Sequence, residues 1–190
     1  QDVSKVITGR LGPSALIGIQ AVLIGLAIGL ILGILAAWKH NSGIDYFTMI
    51  LAVLGVSVPN FVAAALLQYY IGLKWGVLPV GFWTGWNCSV LPSIALSFSA
   101  TAMVARFMRT EMLDVLDQDY IITARAKGLS QMKVLMRHAV RNSILPVVTI
   151  LGPIVVNLMT GSLAVENIFS IPGIGSLFVD CIKANDYPVI

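Results

Sequence analysis

From Leu16 to Trp38 the chain carries no acidic or basic residue, and as an α-helix that run would extend ~35 Å, enough to cross the hydrocarbon core of a bilayer. In lipid a backbone must satisfy its own hydrogen bonds, which only helices and closed barrels achieve. Three more runs free of Asp, Glu, Lys and Arg follow, at 46–73, 90–105 and 142–165. With 57% hydrophobic and only 11% charged residues, the chain has too little polar surface to clothe a water-soluble domain. The expected fold is an all-α polytopic transmembrane helix bundle with four spans, about 16–38, 46–73, 90–105 and 142–165, in one domain over 1–190.

The spans differ in texture. Gly25, Gly29 and Gly33 recur every fourth residue in the first and make a smooth stripe that admits a second helix. Pro59-Asn60 sits inside the second, where proline removes a backbone hydrogen bond and predicts a kink. Ser93, Ser97, Ser99 and Thr101 enrich the third, and in lipid their hydroxyls must bond to backbone or to a neighbouring helix. Pro146, Gly152-Pro153, Asn157 and Gly161 punctuate the fourth. Broken helices and uncharged polar groups at membrane depth are tolerated where protein or water meets them, so Pro59, Asn60 and Asn157 are candidates for a translocation path; helix packing explains them equally well. Outside the spans, residues 1–13 read as a surface helix ended by Gly12-Pro13, and Lys74 to Ser89 as an aromatic interfacial loop.

Charge is concentrated in one island. Arg106 to Arg141 holds 7 of the 12 Lys and Arg residues and 4 of the 9 acidic ones. Asp119 to Lys127 suits a short helix, Gly128 supplies the left-handed residue that ends it, and Ser130 is placed to cap a second helix with Leu129 packing on Val134. In that second helix Met132, Leu135, Met136, Ala139 and Val140 fall on one face, with Lys133, Arg137 and Arg141 on another. The pattern fits a helix-Gly-helix elbow lying on the membrane surface, and it equally fits an ordinary loop obeying the positive-inside rule. With the island inside, alternation puts Lys39 to Asp45 inside and residues 1–13, 74–89 and 166–190 outside. That places eight Lys and Arg inside and four outside, as the rule requires.

Ile122-Thr123-Ala124-x-x-x-Gly128-Leu129, followed by Leu135 and Val140-Arg141, resembles the EAA signature of membrane subunits of bacterial ATP-binding-cassette (ABC) importers, with Ile122 where the signature usually has glutamate. TARAKGL…RHAVRNSILP and ENIFSIPGIGSLF are similar to the peptide and nickel branch, nearest the first membrane subunit of oligopeptide permeases. The resemblance implies a bundle of the type I ABC importer kind in a bacterial inner membrane, of which this chain would be four spans of a six-span core. It implies a cytoplasmic coupling-helix elbow at about 117–141, with Gly128 as the turn, Thr123 and Ala124 for close approach, Leu129 and Leu135 as apolar docking contacts, and Arg125 and Lys127 at the polar rim. It implies two ATP-binding subunits holding ATP and Mg, a second homologous membrane subunit, an external substrate-binding protein, and peptides as cargo. The same machinery for dipeptides, nickel or another small solute is the nearest alternative, and a channel or membrane scaffold a remote one.

The chemistry in the chain agrees with a transport subunit whose energy comes from elsewhere. It has no P-loop, HExxH or GxSxG, and no charged group within its spans of the kind proton-coupled transporters use. The chain itself is therefore expected to be neither an enzyme nor a holder of cofactor or metal. The net charge of +3 lies beside hydrophobic runs and marks membrane topology and contact with lipid, not nucleic acid. His40 and His138 read as isolated residues at membrane edges, and Cys88 and Cys181 as unpaired structural thiols.

Overall fold

The computed structural model describes residues 3–160 and 162–185. Gly161, expected to punctuate the fourth span, and residues 1, 2 and 186–190 lie outside the described residues. In order the helices are α1 (Val3–Trp38), α2 (Gly43–Ser57), α3 (Asn60–Leu67), α4 (Val90–Leu116), α5 (Asp119–Ala126), α6 (Gln131–Val134), α7 (Arg141–Met159), α8 (Leu163–Ile168) and α9 (Ile174–Ala184). α3 continues as a π-helical turn over Gln68–Lys74, and a second π-helical stretch, Leu135–Val140, joins α6 to α7. Three helical runs are long and apolar enough to cross a membrane, and a fourth is gained if α2 and the α3 run are counted together.

Two boundaries differ from expectation. Residues 3–13 are not a separate surface helix: α1 runs through Gly12-Pro13 without a break. Proline has the helical φ built in and forfeits one hydrogen bond, to the carbonyl four residues earlier. α4 in turn runs past Ala105 to Leu116, because RFMRTEML contains strong helix formers and no glycine or proline to stop it. The kink expected at Pro59-Asn60 is a full break, with α2 ending at Ser57 and α3 restarting at Asn60 behind an extended Pro59 (φ −58°, ψ 137°).

The described residues form two compact units. In the one drawn from residues 1–24, 58–99 and 153–190, the core comprises Ile17, Ala21, Ala64, Leu91, Ala95, Leu96, Val165, Phe169 and Ile171, with Trp83 packed against it. Trp75, Phe82 and Trp86 in the aromatic loop stay exposed. The Ser93 hydroxyl is buried, donates to the Ser89 carbonyl at 2.7 Å and stands 2.8 Å from Gln20 Oε1. Ser97 and Ser99 bond back to carbonyls of their own helix, as hydroxyls in an apolar helix must. Cys88 and Cys181 are both buried free thiols.

In the unit drawn from residues 25–57 and 100–152, the glycine stripe of α1 meets α4. A Cβ on Gly25 would lie 2.6 Å from Ala100 Cβ, one on Gly29 2.7 Å from Val104 Cβ, and one on Gly33 2.7 Å from both the Ala105 carbonyl and Met108 Cβ. Only hydrogen fits at these three positions. Val104, Ala105, Met108 and Met112 are buried completely on the α4 side. Lipid tails are as apolar as the side chains, so close van der Waals contact between helices is what holds such a pair together.

Gly29→Leu should therefore force α1 off α4 and lower resistance to unfolding in detergent by about 1–3 kcal/mol. Gly9→Ala, where a Cβ would meet nothing within 4 Å, should raise helix stability by about 0.5–1 kcal/mol. Equal stability of Gly29→Leu and the parent chain would contradict the packing described.

Candidate functional site

The charged island folds as an elbow. α5 ends in a Schellman motif: the Gly128 N–H donates to the Arg125 carbonyl at 2.9 Å and the Leu129 N–H to the Ala124 carbonyl at 3.4 Å. This closure needs a left-handed residue, and Gly128 has φ +75°. A Cβ there would meet nothing within 4 Å, so the demand for glycine comes from the backbone dihedral and not from lack of room. Ser130 stands at the N-cap of α6 without a side-chain cap bond. Leu129 packs as expected on the cluster of Ile121, Ala124 and Val134, which Val115 and Leu116 at the end of α4 also join. The Asn142 amide donates to the Tyr120 hydroxyl at 3.1 Å, tying α7 to α5.

Which side chains face outward differs from the sequence reading. The buried stripe after the elbow is Val134, Leu135, Ala139, Ser143 and Val147. Leu135 is only 3% exposed and lines a recess of about 80 Å³ with Trp38, Leu116, Arg125, Gln131 and Val134. Leu135, expected as a docking contact, and Ala124, expected to allow close approach, are both buried within the chain. Met132 and Met136, placed on the same apolar face as Leu135, are about half exposed, as is Ile122. The π-helical stretch Leu135–Val140 turns Met136 and the residues after it off a face reckoned on a 3.6-residue period, whereas Met132 lies before it in α6. Thr123, Arg125, Lys127 and Gly128 are exposed and Leu129 half-buried. Tyr120, Thr123, Ala124, Lys127, Leu129 and His138 line a shallow groove beside the turn.

Of the candidate path residues, Pro59 and Asn157 are exposed and Asn60 is half-buried. The Asn157 carbonyl accepts from the Thr160 hydroxyl at 3.0 Å.

Two polar joints were not foreseen. Asp45, 2% exposed in the first turn of α2, is gripped by Arg109 through Nε to Oδ1 at 2.6 Å and Nη2 to Oδ2 at 2.7 Å. The Asn41 N–H donates to the same Oδ2 at 3.0 Å. His40 is not isolated, because its Nδ1 lies 3.2 Å from Asp45 Oδ2 and 3.2 Å from Arg109 Nη2. The ring can donate to the carboxylate or accept from the guanidinium, not both at once.

The second joint is Glu166, also 2% exposed. The Ser14 hydroxyl donates to its Oε1 at 2.7 Å and the Ser176 N–H to its Oε2 at 3.0 Å, while Ser14 Oγ accepts from the Ile174 N–H at 2.8 Å. A Cβ on Gly173 would collide with both Glu166 Oε2 and Ser14 Oγ, so the IPGIG turn uses that glycine for close approach. The available signal for both joints was a lone acid at the end of an apolar run. Among the described residues, no three His, Cys, Asp or Glu side chains converge as a metal site would require.

A family model described as binding-protein-dependent transport system inner membrane component matches residues 29–190. The chain belongs to that family. Among relatives of this inner membrane component, the dipeptide transport system permease protein DppB of Lactococcus lactis subsp. cremoris is 45% identical over 190 residues, covering 100% of this chain and 63% of its own length. DppB of Bacillus subtilis is 47% identical over 176 residues, with 92% of this chain and 56% of its own covered. The oligopeptide transport system permease protein OppB of Salmonella typhimurium is 40% identical over 192 residues, with 99% and 62% covered. The chain thus spans 56–63% of the length of these relatives. Two solved transporters share its fold. An amino acid ABC transporter superposes with a TM-score of 0.72 at 18% identity over 97% of this chain and 80% of the other. The MetNI methionine ABC transporter in an inward-facing conformation gives 0.77 at 14% over 95% and 82%. The bundle is of the type I ABC importer kind.

In this inner membrane component the Arg109–Asp45 grip also sets a pH dependence. The Arg109 guanidinium, helped by the Asn41 N–H and His40 and opposed by burial, holds the Asp45 carboxyl down from 3.8 to about 2. The folded chain therefore favours the carboxylate. Its stabilising effect is complete above the unfolded pKa of about 4 and is lost as pH falls through about 2. Asp45→Asn should lower unfolding resistance in detergent by roughly 2 kcal/mol near neutral pH, less than for a fully buried pair because Arg109 retains some solvent. The difference from the parent should close as pH is lowered from about 5 to about 2. A difference independent of pH would refute the ion pair.

Proposed function

We propose that this chain is part of the membrane-spanning subunit of an ATP-driven importer, and that residues 117–141 couple it to ATP-binding subunits. The observation that carries this reading is the Gly128-closed elbow in a chain of the binding-protein-dependent transport family. The island lies on the cytoplasmic side, in keeping with the excess of Lys and Arg there. Gly128 fixes the angle, Ala124, Leu129 and Leu135 hold it from inside, and Thr123, Arg125 and Lys127 with the exposed Ile122, Met132 and Met136 meet the ATPase. Two ATP-binding subunits hold ATP and Mg, and their closure swings the elbow and turns the bundle between inward- and outward-facing states. A second, homologous membrane subunit completes the path. A substrate-binding protein on the outer side delivers cargo past Pro59, Asn60 and Asn157.

The cargo is peptide. Dipeptides are favoured over longer peptides by the identity of 45% and 47% to permeases named for dipeptide transport, against 38% and 40% to those named for oligopeptides.

Uptake of labelled di-, tri- and pentapeptides by the assembled complex in proteoliposomes tests the cargo, and uptake of none of them would defeat it. For the elbow, Gly128→Val strains a left-handed position by about 1–2 kcal/mol and should abolish most uptake while insertion stays normal. Leu135→Asp should do likewise by placing a charge in the buried recess. Lys133→Gln, which removes a single exposed charge beside Met132, should reduce uptake less than either. Normal uptake by a correctly inserted Gly128→Val complex would remove the coupling role.

A further inference from the structure

The elbow does not stand on α7 alone. Its inner cluster is closed by Val115 and Leu116 from the end of α4, and its recess by Trp38 from the end of α1. Those two helices are locked together by the glycine stripe, whose last contact, at Gly33, reaches the Arg109 backbone nitrogen. So the base of the elbow is a rigid α1–α4 pair. α2 is attached to this pair by residues 39–42, a turn with Asn41 at φ +58°, and by the Arg109–Asp45 clasp. A short turn joins without fixing an angle. A bidentate guanidinium–carboxylate pair fixes both distance and rotation, because two parallel hydrogen bonds define a plane. The extra Asn41 N–H and His40 contacts fix the Asp45 carboxylate in turn.

We infer that Arg109 and Asp45 are a positioning pair for transport, making α2 move with α4 when the elbow is displaced. This inference rests on the importer reading above. The burial of the carboxylate at the first turn of α2, two turns of α4 away from the elbow, is what a mechanical link requires and a solubilising surface charge does not. Both groups sit outside the uncharged runs at 46–73 and 90–105, so the link lies at the membrane edge and not in the path of cargo. If the clasp is released, ATP-driven displacement of the elbow still moves α1 and α4 but leaves α2 behind.

The test uses the whole complex, with the full-length subunit and its partners in proteoliposomes, and measures assembled complex, ATP hydrolysis and peptide uptake together. Asp45→Asn should assemble and hydrolyse ATP while the ATP consumed per peptide imported rises about tenfold. Arg109→Lys keeps the charge but not the fork, and should fall between. The double variant Asp45→Asn/Arg109→Gln separates positioning from mere stability, since it leaves no unpaired buried charge. Recovered assembly with uptake still uncoupled supports the inference. Recovered coupling in the double variant overturns it, as does an unchanged ATP-to-peptide ratio in Asp45→Asn. Asp114→Asn, an exposed acid on the same helix, should match the parent, and loss there equal to that of Asp45→Asn would also overturn it. A parent complex that neither hydrolyses ATP nor imports peptide refutes the importer reading itself, a failure distinct from a coupled parent with a coupled Asp45→Asn variant.

Discussion

Close approach of α1 and α4 along Gly25, Gly29 and Gly33 is the contact on which the elbow-bearing half of the chain depends. In water two apolar helices would be pressed together by the solvent, but in lipid that force is absent and contact must be won by fit. Three glycines at four-residue spacing give α1 a groove into which Val104 and Met108 settle. The ends of the same two helices, Trp38 and Leu116, form the seat of the elbow. A side chain anywhere on the stripe would disturb the seat as well as the pair.

Polar groups are used sparingly and each is accounted for. Asp45 and Glu166 are buried carboxylates, which in an apolar setting cost several kcal/mol unless fully bonded. Asp45 finds a guanidinium and a backbone N–H, and Glu166 finds a serine hydroxyl and the first turn of α9. The serines of α4 are satisfied by carbonyls one turn back. No buried side-chain nitrogen or oxygen among the described residues lacks a partner. Much of the remaining charge lies between Arg106 and Arg141.

Local rules carried much of the fold. The glycine stripe, the break at Pro59-Asn60 and the left-handed Gly128 were all legible because each depends on one residue's own dihedral or size. What was not legible depends on partners far along the chain: Arg109 and Asp45 are 64 residues apart, and Ser14 and Glu166 are 152 apart. The shared apolar face expected for the second elbow helix breaks up for a different reason. A π-helical turn at Leu135–Val140 cannot be seen in a pattern counted at 3.6 residues. In α7 the pattern itself is weak, since Leu145, Val148 and Val156 are as apolar as Val147 yet exposed. Hydrophobicity does not separate a lipid-facing side from a protein-facing one.

On the proposed importer reading, the outer face of the elbow, not its buried stripe, meets an ATP-binding subunit. A single cysteine at Met132, in a chain with Cys88 and Cys181 replaced, tests it by cross-linking in sealed native membranes. A cross-linked product containing the ATP-binding subunit is expected, formed with reagent reaching the cytoplasmic side only, and none from a cysteine at the buried Ala139. Labelling of position 132 from the outer side, or a product from Ala139 and none from Met132, would contradict it.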